Sequence, residues 1–154
     1  MRLFLISLSF FFFFFLADGK PYYFRHYRND NGLPNNTVMA CLQDRRGFMW
    51  FGTKEGLVRF DGFQFKTFLH SPSVSNCLIS NFITAVCEDD DGWIWIGTAE
   101  GICYYMPDND CFRTITSEDP KITGMAFDVK ADNNKNIWIA TFTGTYKHDK
   151  QGDR

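Results

Sequence analysis

The chain has 154 residues, a formal net charge of −2 and an aromatic content of 18%. Its charges are mixed along the sequence without a basic stripe, which argues against nucleic acid as a partner. Its five cysteines form no Cys-x-x-Cys pair, which argues against a zinc site, and we expect no metal or cofactor. The many aromatic residues favour strands.

An apolar segment at the N-terminus predicts export from the cytoplasm. Arg2 precedes a 14-residue apolar run from Leu3 to Leu16, and small residues follow at Ala17 and Gly19. This layout is typical of a secretory signal peptide, which we assign to residues 1–19. A bilayer-spanning helix needs about 20 residues, so an uncleaved inner-membrane anchor is the alternative. We expect the mature chain in the periplasm or another extracytoplasmic space.

A short phrase recurs three times along the chain. The copies run from Asp44 to Leu57, from Asp89 to Ile102 and from Asp132 to Thr145. Their tryptophans, Trp50, Trp95 and Trp138, lie 45 and 43 residues apart. Each Trp has an Asp six positions before it, a Thr three positions after it and a Gly six positions after it. A period in the forties, filled with short strands, indicates a stack of similar supersecondary units.

Each repeat is predicted to contain short strands separated by turns. In the first repeat the strands are Thr37 to Gln43, Phe48 to Thr53, Leu57 to Phe60 and Phe63 to Leu69. In the second they are Phe82 to Glu88, Trp93 to Thr98, Ile102 to Tyr105 and Cys111 to Ile115. The third has Met125 to Ala131, Asn136 to Thr141 and Thr145 to His148, without a fourth strand. Asp-to-Gly turns after the first strands support this interpretation.

The second strand of a repeat is apolar on both faces. Trp93 and Trp95 project to one side, and Ile94 and Ile96 project to the other. A sheet of this kind must be covered on both sides, as the blades of a propeller are. The repeated tryptophans can also stack on sugar rings, but their matching positions favour core packing.

The predicted fold class is all-β, with antiparallel four-stranded blades of an incomplete β-propeller. It comprises about two and a half blades plus an N-terminal closing strand, since three blades are fewer than the 4 to 8 of a typical ring. The predicted domain boundaries give a signal peptide at residues 1–19 and a closing strand with its loop at residues 20–34. Blade 1 then spans residues 35–71, blade 2 spans residues 72–116 and the partial blade 3 spans residues 117–154.

The closing strand is predicted from a local likeness. Phe24–Tyr27 is similar to Phe65–Phe68 and to Phe112–Ile115, which are predicted fourth strands. In a complete propeller such a strand finishes the last blade. We therefore expect a truncated or partial product whose open flanks promote instability or aggregation.

The repeats resemble the two-component regulator propeller repeat, with the pattern D-x-x-G-x-[IL]-W-[IF]-G-T-x-x-G-[LI]-x-x-[FY]. The first two copies match closely. The third departs at Asn136, interpreted as replacing the turn glycine, and at Ala140 and Thr145. The opening segment also resembles the periplasmic sensor region of hybrid two-component regulators from Bacteroidetes-like bacteria. The resemblance covers residues 20 to 148.

The resemblance implies an extracytoplasmic ligand-sensing segment of a hybrid histidine kinase, with carbohydrate breakdown products as ligands. Its partners would be an oligosaccharide, the remaining blades of the parent and, in a homodimer, a second copy of the parent. We expect no catalytic residue and no enzyme activity here, because the histidines lie on or beside strands and no G-x-G-x-x-G motif is present. The alternative is a fragment of a secreted propeller enzyme, streptogramin-lyase-like or quinoprotein-like.

Four asparagines are the candidate ligand-binding residues. Asn35, Asn36, Asn76 and Asn81 lie in the loops that lead into the first strands of blades 1 and 2. Such loops cluster at one mouth of a propeller, where Asn side chains can hydrogen-bond sugar hydroxyls. Asparagine also favours turns for purely local reasons. Asp89, Asp90 and Asp91 are interpreted as a solvated turn and not as a cation site.

The cysteines allow two interpretations. Cys41, Cys87 and Cys103 fall within predicted strands, where a free thiol acts as a small apolar side chain. Cys103 and Cys111 can face each other across a hairpin, and an oxidising compartment permits a disulfide between them. Spacing alone does not decide between a free pair and a bridge.

Overall fold

The computed structural model describes residues 21–115, 122 and 124–149. These residues form eleven strands in three antiparallel sheets, together with a short 3-10 turn at Asn29–Asn31. The predicted signal peptide, residues 1–19, lies outside the described residues. The prediction of an all-β chain is confirmed.

Each sheet is a simple meander in which sequential strands pair. Blade 1 contains β1 (Val38–Gln43), β2 (Met49–Thr53), β3 (Gly56–Phe60) and β4 (Phe65–Phe68). Blade 2 contains β5 (Ile83–Glu88), β6 (Ile94–Thr98), β7 (Gly101–Met106) and β8 (Cys111–Thr114). Blade 3 contains β9 (Ala126–Ala131), β10 (Asn136–Thr141) and β11 (Gly144–Asp149). These bounds agree with the predicted strands to within two residues at each end.

Neighbouring blades meet through their first two strands. β1 contacts β5 and β5 contacts β9, while β2 and β6 contact the first strand of the following blade. At the first junction, a Cβ placed on Gly52 would lie 2.7 Å from Ile83 Cγ2, so the backbone approaches closely there. At the second junction, the Thr84 hydroxyl donates to the Ala126 carbonyl. The first strands are therefore innermost, and the blades fan outward as in a propeller.

Two apolar cores fill the spaces between the blades. Trp50 of blade 1 packs with Ile94 and Ile96 of blade 2. Trp95 packs with Ile137 and the other inward residues of blade 3. Each blade thus turns its Trp face toward the next blade and its aliphatic face toward the preceding one. The prediction that both faces of a blade are covered is confirmed for blade 2.

Two side chains predicted to be interior are exposed. Trp138 is 42% exposed, whereas Trp50 and Trp95 are 1% and 0% exposed. Cys41 is also exposed, although the equivalent Val86 of blade 2 is buried. Both lie on outer flanks, Trp138 beyond blade 3 and Cys41 before blade 1. Among the described strands, no sheet lies against either flank.

The segment Phe24–Tyr27 does not form a strand in this structure. Phe24 is 95% exposed, and none of the three described sheets pairs with the segment. A closing strand needs an adjacent third strand of another blade as its backbone partner. Assignment of residues 20–34 to ring closure therefore stays a prediction.

The hairpin of β7 and β8 does not bring its two cysteines together. Cys103 lies opposite Thr114, and Cys111 lies opposite Met106. All five cysteines are free. The alternative of a Cys103–Cys111 disulfide is therefore wrong, because the register separates the two side chains along the hairpin.

The third repeat retains its first turn without a glycine. Gly47 and Gly92 have φ angles of 89° and 81° at this turn, and Lys135 occupies the equivalent position with φ 68°. The sequence interpretation that Asn136 replaces the turn glycine is wrong, because Asn136 begins β10. A non-glycine residue in the left-handed region is strained. The bonds that Asp132 makes to this turn hold the conformation in place.

Candidate ligand-binding surface

The aspartate of each repeat joins a turn to the tryptophan of the same repeat. Asp44 Oδ1 accepts the main-chain N–H groups of Arg46 at 3.0 Å and Phe48 at 2.9 Å, and Oδ2 accepts the Trp50 indole N–H at 2.7 Å. The same indole bond measures 2.6 Å in blade 2 and 2.8 Å in blade 3. The sequence predicted the turn role, but the indole bond was missed. The constant six-residue spacing was its signal.

The threonine of each repeat closes the next turn. The Thr53 hydroxyl donates to the Gly56 carbonyl at 2.8 Å and accepts the Glu55 N–H at 3.1 Å. Thr98 and Thr141 donate in the same way, at 3.0 Å and 2.9 Å. The fixed polar residues of the repeat are therefore engaged in building the blade. A ligand must be recognised by residues that vary between repeats.

The lead-in loops are residues 28–37 and 69–82, and the ends of these loops that join β1 and β5 lie at one mouth of the blade array. Val38, at the start of β1, pairs with Thr53 at the end of β2. The turn that follows Thr53 contacts the second lead-in loop, since the Gly56 N–H donates to the Asn81 carbonyl at 2.7 Å. Both lead-in loops therefore meet the β2–β3 turn.

Three of the four candidate asparagines use their side-chain oxygen to hold these loops. Asn36 accepts the N–H of Asn29 at 3.0 Å, and Asn81 accepts the N–H of His70 at 2.6 Å. Asn35 accepts the N–H of Thr37 at 2.7 Å. The sequence had left open the alternative that these asparagines stabilise local turns, and the hydrogen bonds agree with that alternative. The role of these residues in ligand binding stays a prediction.

The fourth candidate lies toward the outer edge of blade 2. Asn76 is exposed, and its carbonyl accepts the N–H of Phe112 in β8 at 3.2 Å. Its φ of 64° is one that asparagine tolerates better than most residues. The structure thus separates Asn76, beside the outer strand, from Asn81, beside the turn of blade 1.

A cysteine and a histidine meet in the second lead-in loop, which sequence reasoning did not anticipate. Cys77 Sγ lies 3.8 Å from His70 Nδ1 and 3.3 Å from the Leu78 carbonyl oxygen. The same His70 nitrogen lies 2.5 Å from that carbonyl oxygen. These contacts fold the loop onto buried Leu78. Within the described part of the chain, no three His, Cys, Asp or Glu residues are grouped to hold a metal ion.

Charged side chains join blades 1 and 2 at the opposite mouth. Arg45 Nε lies 2.9 Å from Glu88 Oε1, and the same guanidinium donates to the carbonyls of Asp89 and Asp90. Lys66 Nζ lies 3.2 Å from Asp110 Oδ1. The side chains of Arg45, Glu88, Lys66 and Asp110 are therefore engaged in holding the two blades together.

A buried hydroxyl belongs to the same junction. Tyr105 donates its hydroxyl proton to Asp110 at 2.6 Å. Burial raises the pKa of Tyr105 to about 12, and the hydrogen bond to Asp110 adds to this effect. The phenol therefore stays protonated at neutral pH and serves as a donor between strand and turn.

A family model described as two component regulator propeller matches residues 32–55 and 77–100. Each matched stretch begins in a lead-in loop and ends in the turn after the second strand of a blade. The two stretches contain the Asp–Trp bond and the Thr turn described above. The chain contains two-component regulator propeller repeats.

Two solved extracellular domains have a fold similar to that of this chain. The extracellular domain described as that of a hybrid two component system, BT3049 from B. thetaiotaomicron, is 30% identical with a TM-score of 0.72. The match covers 86% of this chain and 21% of that domain. The extracellular domain of BT4673 from the same organism is 22% identical with a TM-score of 0.58, and it supports the fold alone.

A curated relative matches a shorter stretch. Histidine kinase P4 of Formosa agariphila is 32% identical over 73 residues, which is 47% of this chain and 5% of the relative. The chain thus spans a small part of each protein it resembles. Within the described residues, no helix is long and apolar enough to cross a membrane.

Proposed function

We propose that this chain is part of the extracytoplasmic, ligand-sensing propeller of a two-component system, and that it contributes binding surface without catalytic groups. The observation that carries the proposal is the match of its blades to the extracellular domain of BT3049, at 30% identity over 86% of the chain. The repeats use their fixed polar residues internally, as expected of a scaffold that presents variable loops.

An oligosaccharide is the proposed ligand class, and the lead-in loops are the proposed surface. Asn amides offer both a donor and an acceptor, which suits the hydroxyl groups of a neutral sugar. Asn76 is the best-placed candidate because it is exposed and its side chain can be changed without breaking the loop contacts that Asn36 and Asn81 make. The ligand would meet this surface in the periplasm.

In the parent protein, ligand docking would act by population shift. A sensor changes its output only when the ligand binds one of two arrangements more tightly than the other. The propeller would supply that difference in affinity, and kinase modules elsewhere in the parent would read the resulting arrangement. This chain would contribute blades and loops to the event.

Binding can be tested directly with defined sugars. Hexasaccharides of glucose, xylose, arabinose and galacturonate would be titrated against the exported chain by calorimetry. We expect one of them to bind, and Asn76→Gly to weaken that binding while the melting temperature is retained, since glycine adopts the same positive φ. Asn133→Gly, in the exposed turn between β9 and β10 of blade 3, is the matched control. Binding that is unchanged by Asn76→Gly would refute the assignment of this surface. Absence of binding to every sugar would refute the ligand class.

A further inference from the structure

We propose that the second lead-in loop, residues 69–82, contains a zinc site whose side-chain ligands are Cys77 and His70. The main-chain carbonyl oxygens of Leu78 and Ser71, in the same loop, complete the set of ligand atoms. The inference concerns a second kind of binding site and does not depend on the proposed sugar. It rests on the distances between these atoms and on how the loop holds them.

The second lead-in loop is long, and two of its side chains close it. It runs for 14 residues between β4 and β5, whereas the first lead-in loop has 10 residues. Long irregular loops inside a compact domain are usually functional. His70 lies near the start of the loop and Cys77 lies near its end, and each is at least partly exposed. An ion from solvent can therefore reach both side chains.

Three potential ligand atoms of the loop face one another. Cys77 Sγ lies 3.8 Å from His70 Nδ1 and 3.3 Å from the Leu78 carbonyl oxygen. Zinc binds sulfur at about 2.3 Å and nitrogen at about 2.0 to 2.1 Å, so the two atoms lie about 3.6 Å apart on a tetrahedral ion. The observed separation of Sγ and Nδ1 is within about 0.2 Å of that value, which is the tolerance expected of a real site.

The distance between His70 and the Leu78 carbonyl is the one that zinc must lengthen. Nδ1 lies 2.5 Å from this oxygen and donates a hydrogen bond to it, because a carbonyl oxygen can only accept. A nitrogen and an oxygen on one tetrahedral zinc ion lie about 3.3 Å apart, so the ion would replace this proton and move the ring outward by less than about 1 Å. His70 is exposed, so the movement displaces no core side chain. The ring proton would then be on Nε2.

The main chain around the sulfur supplies a fourth ligand atom and an outer contact. The Ser71 carbonyl oxygen lies 3.2 Å from Cys77 Sγ, close enough for both atoms to bind one ion. The Ser71 N–H donates to the same sulfur at 3.4 Å. A hydrogen bond of this kind, from outside the ligand set, orients a metal ligand. Leu78 is fully buried and fixes the main chain beside Cys77.

The ligand set favours zinc over the hard cations. A thiolate and an imidazole are zinc ligands, whereas calcium and magnesium take oxygen ligands. Zinc has no geometric preference from its d electrons, so it accepts main-chain oxygens in the remaining positions. With two metal-binding side chains, the site does not need the group of three that is absent from the described residues. The sequence did not indicate it, because Cys77 and His70 are seven positions apart in an irregular loop.

Zinc would have a structural role in this loop. It would join His70 to Cys77 and Leu78, and so fix the position of Asn76, which directly precedes Cys77. An ion that binds the folded chain in preference to the unfolded chain stabilises the fold by mass action. The melting temperature should therefore rise with the concentration of Zn²⁺.

The first test titrates the full exported chain, purified with a chelator and then dialysed, with Zn²⁺ alone by calorimetry. We expect one ion to bind per chain. Cys77→Ser and His70→Gln should each raise the dissociation constant by at least about tenfold, a loss seen even when an outer partner of a ligand is removed. Cys41→Ser and His26→Gln are the matched controls, because both residues are exposed and lie outside the loop. They should leave the dissociation constant unchanged.

A second measurement identifies the ligand atoms directly. Co²⁺ in place of Zn²⁺ should give a thiolate-to-metal absorption band in the wild-type chain and none in Cys77→Ser. Zn²⁺ should also slow the reaction of iodoacetamide with Cys77 and leave its reaction with Cys41 unchanged. Absence of binding at micromolar Zn²⁺ would overturn the proposal. So would binding that survives both Cys77→Ser and His70→Gln, or equal protection of Cys77 and Cys41.

Discussion

At the scale of single residues, one carboxylate performs two tasks in each repeat. Asp89 accepts two main-chain N–H groups of its turn and the indole N–H of Trp95, and it is buried. A buried donor that loses its partner carries the full cost of desolvation. The aspartate is therefore required by the tryptophan as much as by the turn.

Replacement of Asp89 by alanine should lower the free energy of unfolding by about 3 kcal/mol, because it leaves a buried indole N–H and two turn N–H groups without an acceptor. Urea unfolding followed by circular dichroism measures this. Asp90→Ala, at the exposed neighbouring position, should change stability by less than about 0.5 kcal/mol. Equal effects of the two substitutions would disprove the role given to Asp89.

In the third repeat, the hydrogen bond between the aspartate and the tryptophan should be visible in the titration of Asp132. Hydrogen bonds from Asn136 and then from Trp138 lower the pKa of Asp132 from 3.8 to about 2. Because the folded pKa is the lower one, the stabilisation is complete above pH 4 and is lost as the pH falls toward 2. The Trp138 indole N–H resonance should shift with a midpoint near pH 2. A midpoint near 3.8 would contradict the bond.

Two cysteines should be inert in the folded chain. Burial raises the pKa of Cys87 and of Cys103 to about 12. Iodoacetamide at pH 8 should therefore modify exposed Cys41 and partly exposed Cys77 first, and it should reach the buried pair only after unfolding in urea. Peptide mass spectrometry measures each site. Rapid labelling of Cys103 in the native chain would show that the first core is open.

At the scale of elements, the strands were predictable because turn residues mark both ends of each one. The Asp-to-Gly turns and the Thr-x-x-Gly turns fixed β2 and β6 to within a residue. Burial was less predictable, since Trp138 has the local sequence of a core residue and only its neighbouring sheets decide its exposure. The loop asparagines were recognised as candidates. The N–H partners of Asn36 and Asn81 lie 7 and 11 residues away, so these hydrogen bonds could not be predicted from local spacing.

The junction of blades 1 and 2 should depend on Arg45 more than on Arg46. Arg45 bonds one carboxylate and two carbonyls of the next blade, whereas Arg46 makes a single exposed ion pair with Asp108. Arg45→Met should therefore lower the free energy of unfolding by about 2 kcal/mol, and Arg46→Met should lower it less. The comparison uses urea unfolding at low and high salt. Equal losses would argue against the Arg45 contact.

At the scale of the whole molecule, the blades depend on one another. Blade 2 has a sheet against each face and contributes to both cores, while no described strand covers the outer flank of blade 1 or of blade 3. The sequence indicated this dependence through strands that are apolar on both sides. The sequence did not show which sheet covers a given face, because every repeat presents nearly the same two faces.

The arrangement of blades around an axis is tested most directly by nuclear Overhauser contacts between sheets. The account predicts cross-peaks from the Trp50 ring to the Tyr105 ring, whose centroids lie 5.3 Å apart, and from Trp95 to His148 at 5.4 Å. Each pair joins one blade to the next. Cross-peaks confined within single sheets, or a direct contact between Trp50 and Trp95, would contradict it.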